Sequence, residues 1–201
     1  MQKECKNLEY KIYDFYFQSG IKNLIDDIVK EYGKINAMAY FSGISCVKPL
    51  RMVDLEEAKK VFDVNFFSCL ELLKCLYDKR KSENLSAVLI SSASLKMSIS
   101  SMSVYDASKG ALDTLSVSLV KDFAKFGFRI NSILPAHIDT EMTHKASNTR
   151  SDNYNLELEK LYPLGVGKDE DIANLCVFLL SPLSAWMSGQ SIVMDGGRAL
   201  Y

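Results

Sequence analysis

Hydrophobic positions along the chain switch between short apolar runs and longer stripes of helical period. "YKIYDF" (10–15) is short, aromatic and β-branched, which predicts a strand. "IKNLIDDIVKEYG" (21–33) has apolar residues at 21, 24, 25, 28, 29 and 32, one face of a helix, and Gly33 is placed to end it. "INAMAYFSG" (35–43) reads as a buried strand running into a glycine. Asp54 with Glu57 three positions later resembles a capping box, and the stripe at 58, 61, 62, 69, 72, 73 and 76 predicts one helix from there to about Tyr77. "SAVLISS" (86–92) predicts a buried strand, and positions 104, 107, 111, 115, 119 and 123 a helix over about 103–125. "RINSILP" (129–135) is a strand halted by proline. Residues 136–160 are polar and irregular, a long connection. "DEDIANLCVFLLS" (169–181) is a helix stopped by Pro182, and "QSIVMDGG" (190–197) a last strand and turn. Strand and helix in alternation predict a single α/β domain, a parallel sheet with helices on both faces. In such sheets ligands bind beyond the carboxyl ends of the strands, so candidate chemistry is sought there.

Composition narrows the function classes. The 201 residues are 48% hydrophobic and 24% charged, with a formal net charge of −1. That balance suits one globular domain and gives no electrostatic grip on nucleic acid or an anionic membrane. The one basic run, "DKRKSEN" (78–84), reads as a solvated helix end. Five scattered cysteines without a C-x-x-C pair, and two histidines, predict neither a metal site nor a disulfide framework. Reduced thiols, no apolar leader at the start and no stretch of spanning length fit a cytoplasmic protein.

Five residues, on three elements, carry candidate chemistry. Ser91 and Ser92 sit where the strand "AVLI" ends. Tyr105 and Lys109 are four apart and share a helical face. A phenol near pKa 10 is a poor proton carrier at neutral pH, and a lysine cation one turn away would lower it. Alone, such a pair is more often a surface contact of an amphipathic helix. Asn65 falls on the apolar stripe of its helix, where a polar side chain must find partners. It is either a satisfied core asparagine or a hydrogen-bond relay in the site.

Together these residues resemble the short-chain dehydrogenase/reductase family, in the branch that includes 3-oxoacyl-carrier-protein reductases. The resemblance runs from about Asp14 to Gly197. Tyr105 and Lys109 match the family's Y-x-x-x-K, and Ser92 precedes Tyr105 by 13 positions (105 − 92), the spacing of the family's serine, which favours it over Ser91. Asn65 in "DVNFFS" matches the asparagine of the family tetrad, "PAHIDTEM" (135–142) resembles its P-G-x-[IV]-x-T segment, and the stretch "GVGKDEDIANLCVFLLSPLSAWMSGQSIVMDGG" resembles its C-terminal helix and strand.

The resemblance implies a Rossmann-like, doubly wound sheet, a nicotinamide cofactor (NAD or NADP) and a small alcohol or ketone substrate. Tyr105 would exchange the proton, Lys109 would lower its pKa and hold the cofactor ribose, Ser92 would orient the reacting oxygen, and Asn65 would hold a relay water. Ser42, Gly43, Pro135, Ile138 and Thr140 would line the cofactor, and Asp14 would lie beside its adenine. Residues 141–160 would form a substrate lid, in which Lys145 and Arg150 hint at a polar or anionic substrate or, more often, are simply solvated. Pairing through the helices 54–77 and 103–125 would give a homodimer or homotetramer.

Two departures stand out. The family's N-N-A-G reads Tyr40-Phe41-Ser42-Gly43, and no T-G-x-x-x-G-x-G run exists. The resemblance therefore implies an N-terminally truncated fold whose first βαβ unit is absent, so that "YKIYDF" lacks a neighbour and "AMAYF" becomes a sheet edge. The alternative to an oxidoreductase is a catalytically silent homologue that serves as an assembly partner.

Overall fold

The computed structural model describes residues 8–97, 99–140 and 160–200. Four strands, β1 (Ile35–Tyr40), β2 (Ser82–Ile90), β3 (Arg129–Pro135) and β4 (Ser191–Met194), form one sheet in that order. Every neighbouring pair is parallel, with Ala39 against Val88, Val88 against Asn131 and Ile133 against Ile192. Helix α1 (Ile21–Tyr32) precedes β1, and α2 (Leu55–Phe62), α3 (Ser68–Leu76), α4 (Ser103–Ser118), α5 (Val120–Ala124) and α6 (Asp169–Leu180) fill the crossovers.

Strand alternation divides the core in two. Leu85, Ala87 and Leu89 of β2 face one side and pack with Ile25, Leu72, Leu76, Leu112 and Phe123 from α1, α3, α4 and α5. Val88 faces the other side and packs with Ile172, Cys176 and Leu179 of α6. Buried polar groups tie the layers. Asp113 of α4 accepts hydrogen bonds from Ser132 on β3 and, at 2.7 Å, from Ser191 on β4. Arg129 donates to the carbonyls of Leu179 and Ser181 at 3.0 and 3.1 Å, so a cation sits on the C-terminal end of α6 where its orphan carbonyls gather.

Several sequence expectations are corrected. Residues 10–15 are not a strand. Tyr13 and Phe15 pack on the core through aromatic contacts, Phe15 with Tyr40 at 5.8 Å between centroids, but their backbone joins no ladder among the described residues. A strand needs a partner for its N–H and C=O groups, and apolar pattern alone does not supply one. β1 accordingly forms the sheet edge, with Ala37 and Ala39 exposed. The capping box is half formed: Asp54 caps Glu56 N–H at 3.1 Å, while Glu57 pairs with Lys48 at 2.5 Å. The long helix over 54–77 is interrupted by a π-turn, Asp63–Phe67. The helix over 103–125 breaks at Leu119 into α4 and α5. β2 starts at Ser82, inside the run read as a helix end, because Asp78–Lys81 forms a turn. The lid residues 141–159, including Lys145 and Arg150, lie outside the described residues.

Candidate active site

The carboxyl ends of parallel strands share one rim of the sheet, and the candidate residues gather there. Ser42 and Gly43 follow β1, Ser91 and Ser92 follow β2, and Pro135 ends β3. Helix α4 lays Tyr105 and Lys109 across the first two of these ends.

Asn65 explains the π-turn. Its side chain is fully buried (0% exposed) and donates from Nδ2 to Ile44 O at 3.0 Å and to Ser108 Oγ at 2.9 Å, while Oδ1 accepts from Ile44 N at 2.8 Å. Both amide protons are spent on protein partners, so this side chain pins the loop after β1 to α4. The carbonyls of the π-turn are taken up by other groups: Tyr40 Oη donates to Val64 O at 2.5 Å, and Gln18 Nε2 to Asp63 O at 3.1 Å. Tyr40, which stands where the family pattern has asparagine, thus still fastens the end of β1 to its neighbours. π-turns cost backbone regularity and recur at functional sites.

Lys109 is 4% exposed, and its ammonium donates to Ile90 O at 2.7 Å. Burial pushes its pKa down from 10.5 to about 8. Its Nζ lies 5.8 Å from the centre of the Tyr105 ring. The Tyr105 phenol is pushed up from 10.0, chiefly by burial, with its hydrogen bond to Ser92 acting in the opposite direction and the Asp106 charge reinforcing the rise. The expectation that Lys109 lowers the phenol is therefore not what this arrangement gives: the ammonium faces Ile90 O and desolvation of the phenolate wins.

Ser91 and Ser92 divide the work. Ser91 Oγ donates to Lys109 O at 2.9 Å and anchors α4 to the end of β2. Ser92 Oγ lies 2.7 Å from Ser94 Oγ, and Ser92 counters the burial that raises the Tyr105 phenol. At Gly43 an added Cβ would stand 3.2 Å from Lys109 Nζ and 3.4 Å from Asn65 Oδ1, so the glycine lets the loop after β1 pack closely against both. Ile138 bridges to Gly167 beyond β3, and Thr140 closes the described part of that segment. Asp14 caps a turn by accepting from Tyr16 N–H at 2.9 Å, away from Ser92, Tyr105 and Lys109 in the hydrogen-bond network of the described residues. Sequence reasoning missed Ser94, Asp106, Ser108 and Tyr40. Their only signal was proximity to Ser92, Tyr105 and Gly43 along the chain.

A family profile described as enoyl-(acyl carrier protein) reductase matches residues 12–199, nearly the whole chain. The chain belongs to the short-chain dehydrogenase/reductase family. Among curated relatives, a tropinone reductase homolog of Arabidopsis thaliana is 31% identical over 84% of this chain and 52% of its own length. A 3-oxoacyl-[acyl-carrier-protein] reductase of Chlamydia pneumoniae is 27% identical over 92% of this chain and 73% of its own. The chain thus spans about half of the first relative and about three quarters of the second. The crystal structure of a short-chain dehydrogenase family protein from Francisella tularensis superposes with a TM-score of 0.88 at 29% identity, covering 98% of this chain and 84% of that one. The doubly wound family fold and the observed parallel sheet agree.

Proposed function

We propose that the protein is an NAD(P)-dependent oxidoreductase that interconverts a hydroxyl and a carbonyl group on a small molecule. The observation that carries this reading is the convergence, at one rim of the sheet, of Ser92 at the end of β2 and Tyr105 on α4 with Lys109 and Asn65 behind them. The relatives' names, reductase and dehydrogenase, agree with it.

The residues present fit a nicotinamide cofactor. Gly43 brings the loop after β1 close to Lys109 Nζ, and that ammonium has three N–H donors, of which one is engaged with Ile90 O. Lys109 would hold the ribose hydroxyls, with Ser42, Pro135, Ile138 and Thr140 lining the same rim and Asp14 the adenine end. The nicotinamide ring supplies or takes the hydride, chemistry that side chains cannot perform. Tyr105 Oη donates its proton to the carbonyl oxygen during reduction and accepts it from the hydroxyl during oxidation. Ser92 holds that oxygen against Tyr105. Asn65 keeps Gly43, Ile44 and α4 in register, so that Lys109 stays buried and aimed. Assembly through the α2–α3 and α4–α5 faces, as a homodimer or homotetramer, belongs to the same proposal, as does a cytoplasmic location; among the described residues no helix is long and apolar enough to cross a membrane.

The test is a titration of the folded protein with NADH and then NADPH, followed by cofactor fluorescence, and a screen of alcohols and ketones with the cofactor that binds. Saturable binding is expected, with turnover that Tyr105→Phe reduces about 10²–10⁴-fold while leaving binding in place. A folded protein that binds neither cofactor would sink the proposal and leave the silent assembly partner as the reading.

A further inference from the structure

A cavity of about 460 Å³ opens beside the first turn of α4. Its walls are Pro49 and Leu50 from the connection after β1 and Met97, Ile99 and Met102 from the loop before α4. Serines of that loop and the carboxyl of Asp106 complete the lining. The two connections are tied together there, since Lys48 N–H donates to Ser101 O at 2.9 Å. Asp106 follows Tyr105 directly, and its Oδ1 accepts from Ser94 Oγ, which lies 2.7 Å from Ser92 Oγ. The cavity therefore stands two hydrogen bonds from the serine at the end of β2.

The carboxyl is only half used. Oδ1 has Ser94, while Oδ2 has no hydrogen-bond or ion-pair partner among the described residues and is not sealed by protein. A place in the first turn of α4 suits a negative charge but leaves Oδ2 unspent. Among the described residues no lysine, arginine or histidine lines the cavity, and the nearby Lys48 ammonium is taken by Glu57 at 2.5 Å. Burial pushes the Asp106 carboxyl up from 3.8, with the Ser94 bond acting against it. A partly buried carboxylate held by one hydroxyl is short of positive charge, and an ammonium at Oδ2 would supply it. An anion in the same place would meet like charge with nothing to balance it. The five apolar walls favour a hydrocarbon body over a polyol, whose buried hydroxyls would each need a partner.

Resting on the oxidoreductase reading above, we propose that this cavity receives a substrate with an apolar body and a protonated amine, and that Asp106 is the residue that selects it. The ammonium sits on Asp106 Oδ2, the hydrocarbon body lies against Leu50, Met97 and Ile99, and the carbonyl reaches back to Ser92 and Tyr105. Methionine side chains adapt to the outline of what they pack against, so selectivity rests on charge more than on shape.

Three probes of nearly one shape test this at neutral pH: cyclohexanones that carry, at the carbon opposite the carbonyl, a dimethylamino group, an isopropyl group or a carboxylate. The first is a cation, the second its neutral match and the third an anion. Binding to the full chain, with and without NADPH, is read from methionine methyls labelled with carbon-13, Met97 and Met102 being assigned by Met97→Leu and Met102→Leu. A hydrogen bond to a charged group is worth about a factor of ten or more, so the amino ketone should bind about tenfold tighter than the isopropyl ketone, with the carboxylate weakest. Asp106→Asn keeps the shape and should bring the amino and isopropyl ketones to the same Kd. Leu50→Lys, at a side chain 78% exposed, puts a competing cation on the wall without touching the core and should cancel the same advantage. It decides the matter if Asp106→Asn does not fold. Equal wild-type affinities for the amino and isopropyl ketones, Met97 and Met102 signals that no probe moves, or a preference that survives either variant overturns the proposal. These titrations need no turnover. A folded wild type that binds neither NADH nor NADPH would sink the oxidoreductase reading while the methyl shifts still decide the charge preference of the cavity. In an active enzyme, the ratio of kcat/KM for the amino ketone to that for the isopropyl ketone should fall about tenfold in Asp106→Asn, and an unchanged ratio overturns the assignment of Asp106.

Discussion

Replacing Lys109 by methionine should make the fold more stable near neutral pH while abolishing turnover. Lys109 is 4% exposed and its pKa falls from 10.5 to about 8 on folding. At 1.36 kcal/mol per unit, holding the ammonium in that site costs about 3 kcal/mol when both states are protonated. The bond to Ile90 O, 2.7 Å long, returns about 1 kcal/mol that methionine loses. Lys109→Met should then gain about 2 kcal/mol of unfolding free energy at about pH 7.

The pH dependence carries the sign. Between pH 8 and 10.5 the unfolded chain binds the Lys109 proton and the folded chain does not, so wild-type stability rises with pH across that window. The advantage of Lys109→Met is full below about 8, shrinks through the window and turns into a deficit of about 1 kcal/mol above 10.5, where both states hold a neutral amine and only the lost bond to Ile90 O counts. Urea unfolding of both proteins at matched pH values reads this directly, because every other titrating group cancels in the difference. Parallel stability curves from neutral to alkaline pH would refute the reasoning: Lys109 would then be charged at no cost in both states. A less stable Lys109→Met with the same slope as wild type would refute it equally.

Two further substitutions probe the frame around that lysine. Asn65→Leu leaves Ile44 N–H, Ile44 O and Ser108 Oγ without their partner in a site with no exposure, so the urea midpoint should fall by the equivalent of about 3 kcal/mol; an unchanged midpoint would mean that water replaces the amide. Gly43→Ala places a Cβ 3.2 Å from Lys109 Nζ, the end of a flexible side chain that can yield, so the melting temperature should hardly move. NADH affinity should drop about tenfold, close to 1.4 kcal/mol, as the methyl displaces the ammonium that would hold the ribose, and an unchanged Kd would place the ligand elsewhere.

Most of the sheet and its helices could be read from period alone, because β1 through β4 and α1 through α6 each bury a face that the pattern marks. What could not be read were properties that depend on partners. "YKIYDF" has the composition of a strand, and Phe15 does reach the core, but no neighbouring strand meets its backbone. The apolar stripe continues on either side of Asn65, so the sequence shows one helix where the backbone shifts by a residue to aim that amide at Ile44. The buried polar position was legible; the π-turn it requires was not. Glu57 stood where a capping box wants it, and Lys48, in the loop before the helix, took it away.

The same distinction separates the two halves of the site. Ser92, Tyr105 and Lys109 were found by spacing, since a strand end and one helical face fix their relative positions. Ser94 and Asp106 have no such spacing rule. Asp106 follows Tyr105 and Ser94 stands two residues after Ser92, and each joins the site only through side-chain hydrogen bonds. Tyr40 makes the complementary case. Its replacement of the family's asparagine looked like a defect in the sheet, yet its hydroxyl reaches Val64 O, a carbonyl of the very turn that seats Asn65. An aromatic side chain is long enough to span from the end of β1 to that turn, and burial of the ring against Phe15 holds it there. The site therefore keeps its geometry through contacts that a motif does not encode: carbonyls released by irregular backbone, and the donors that reach them.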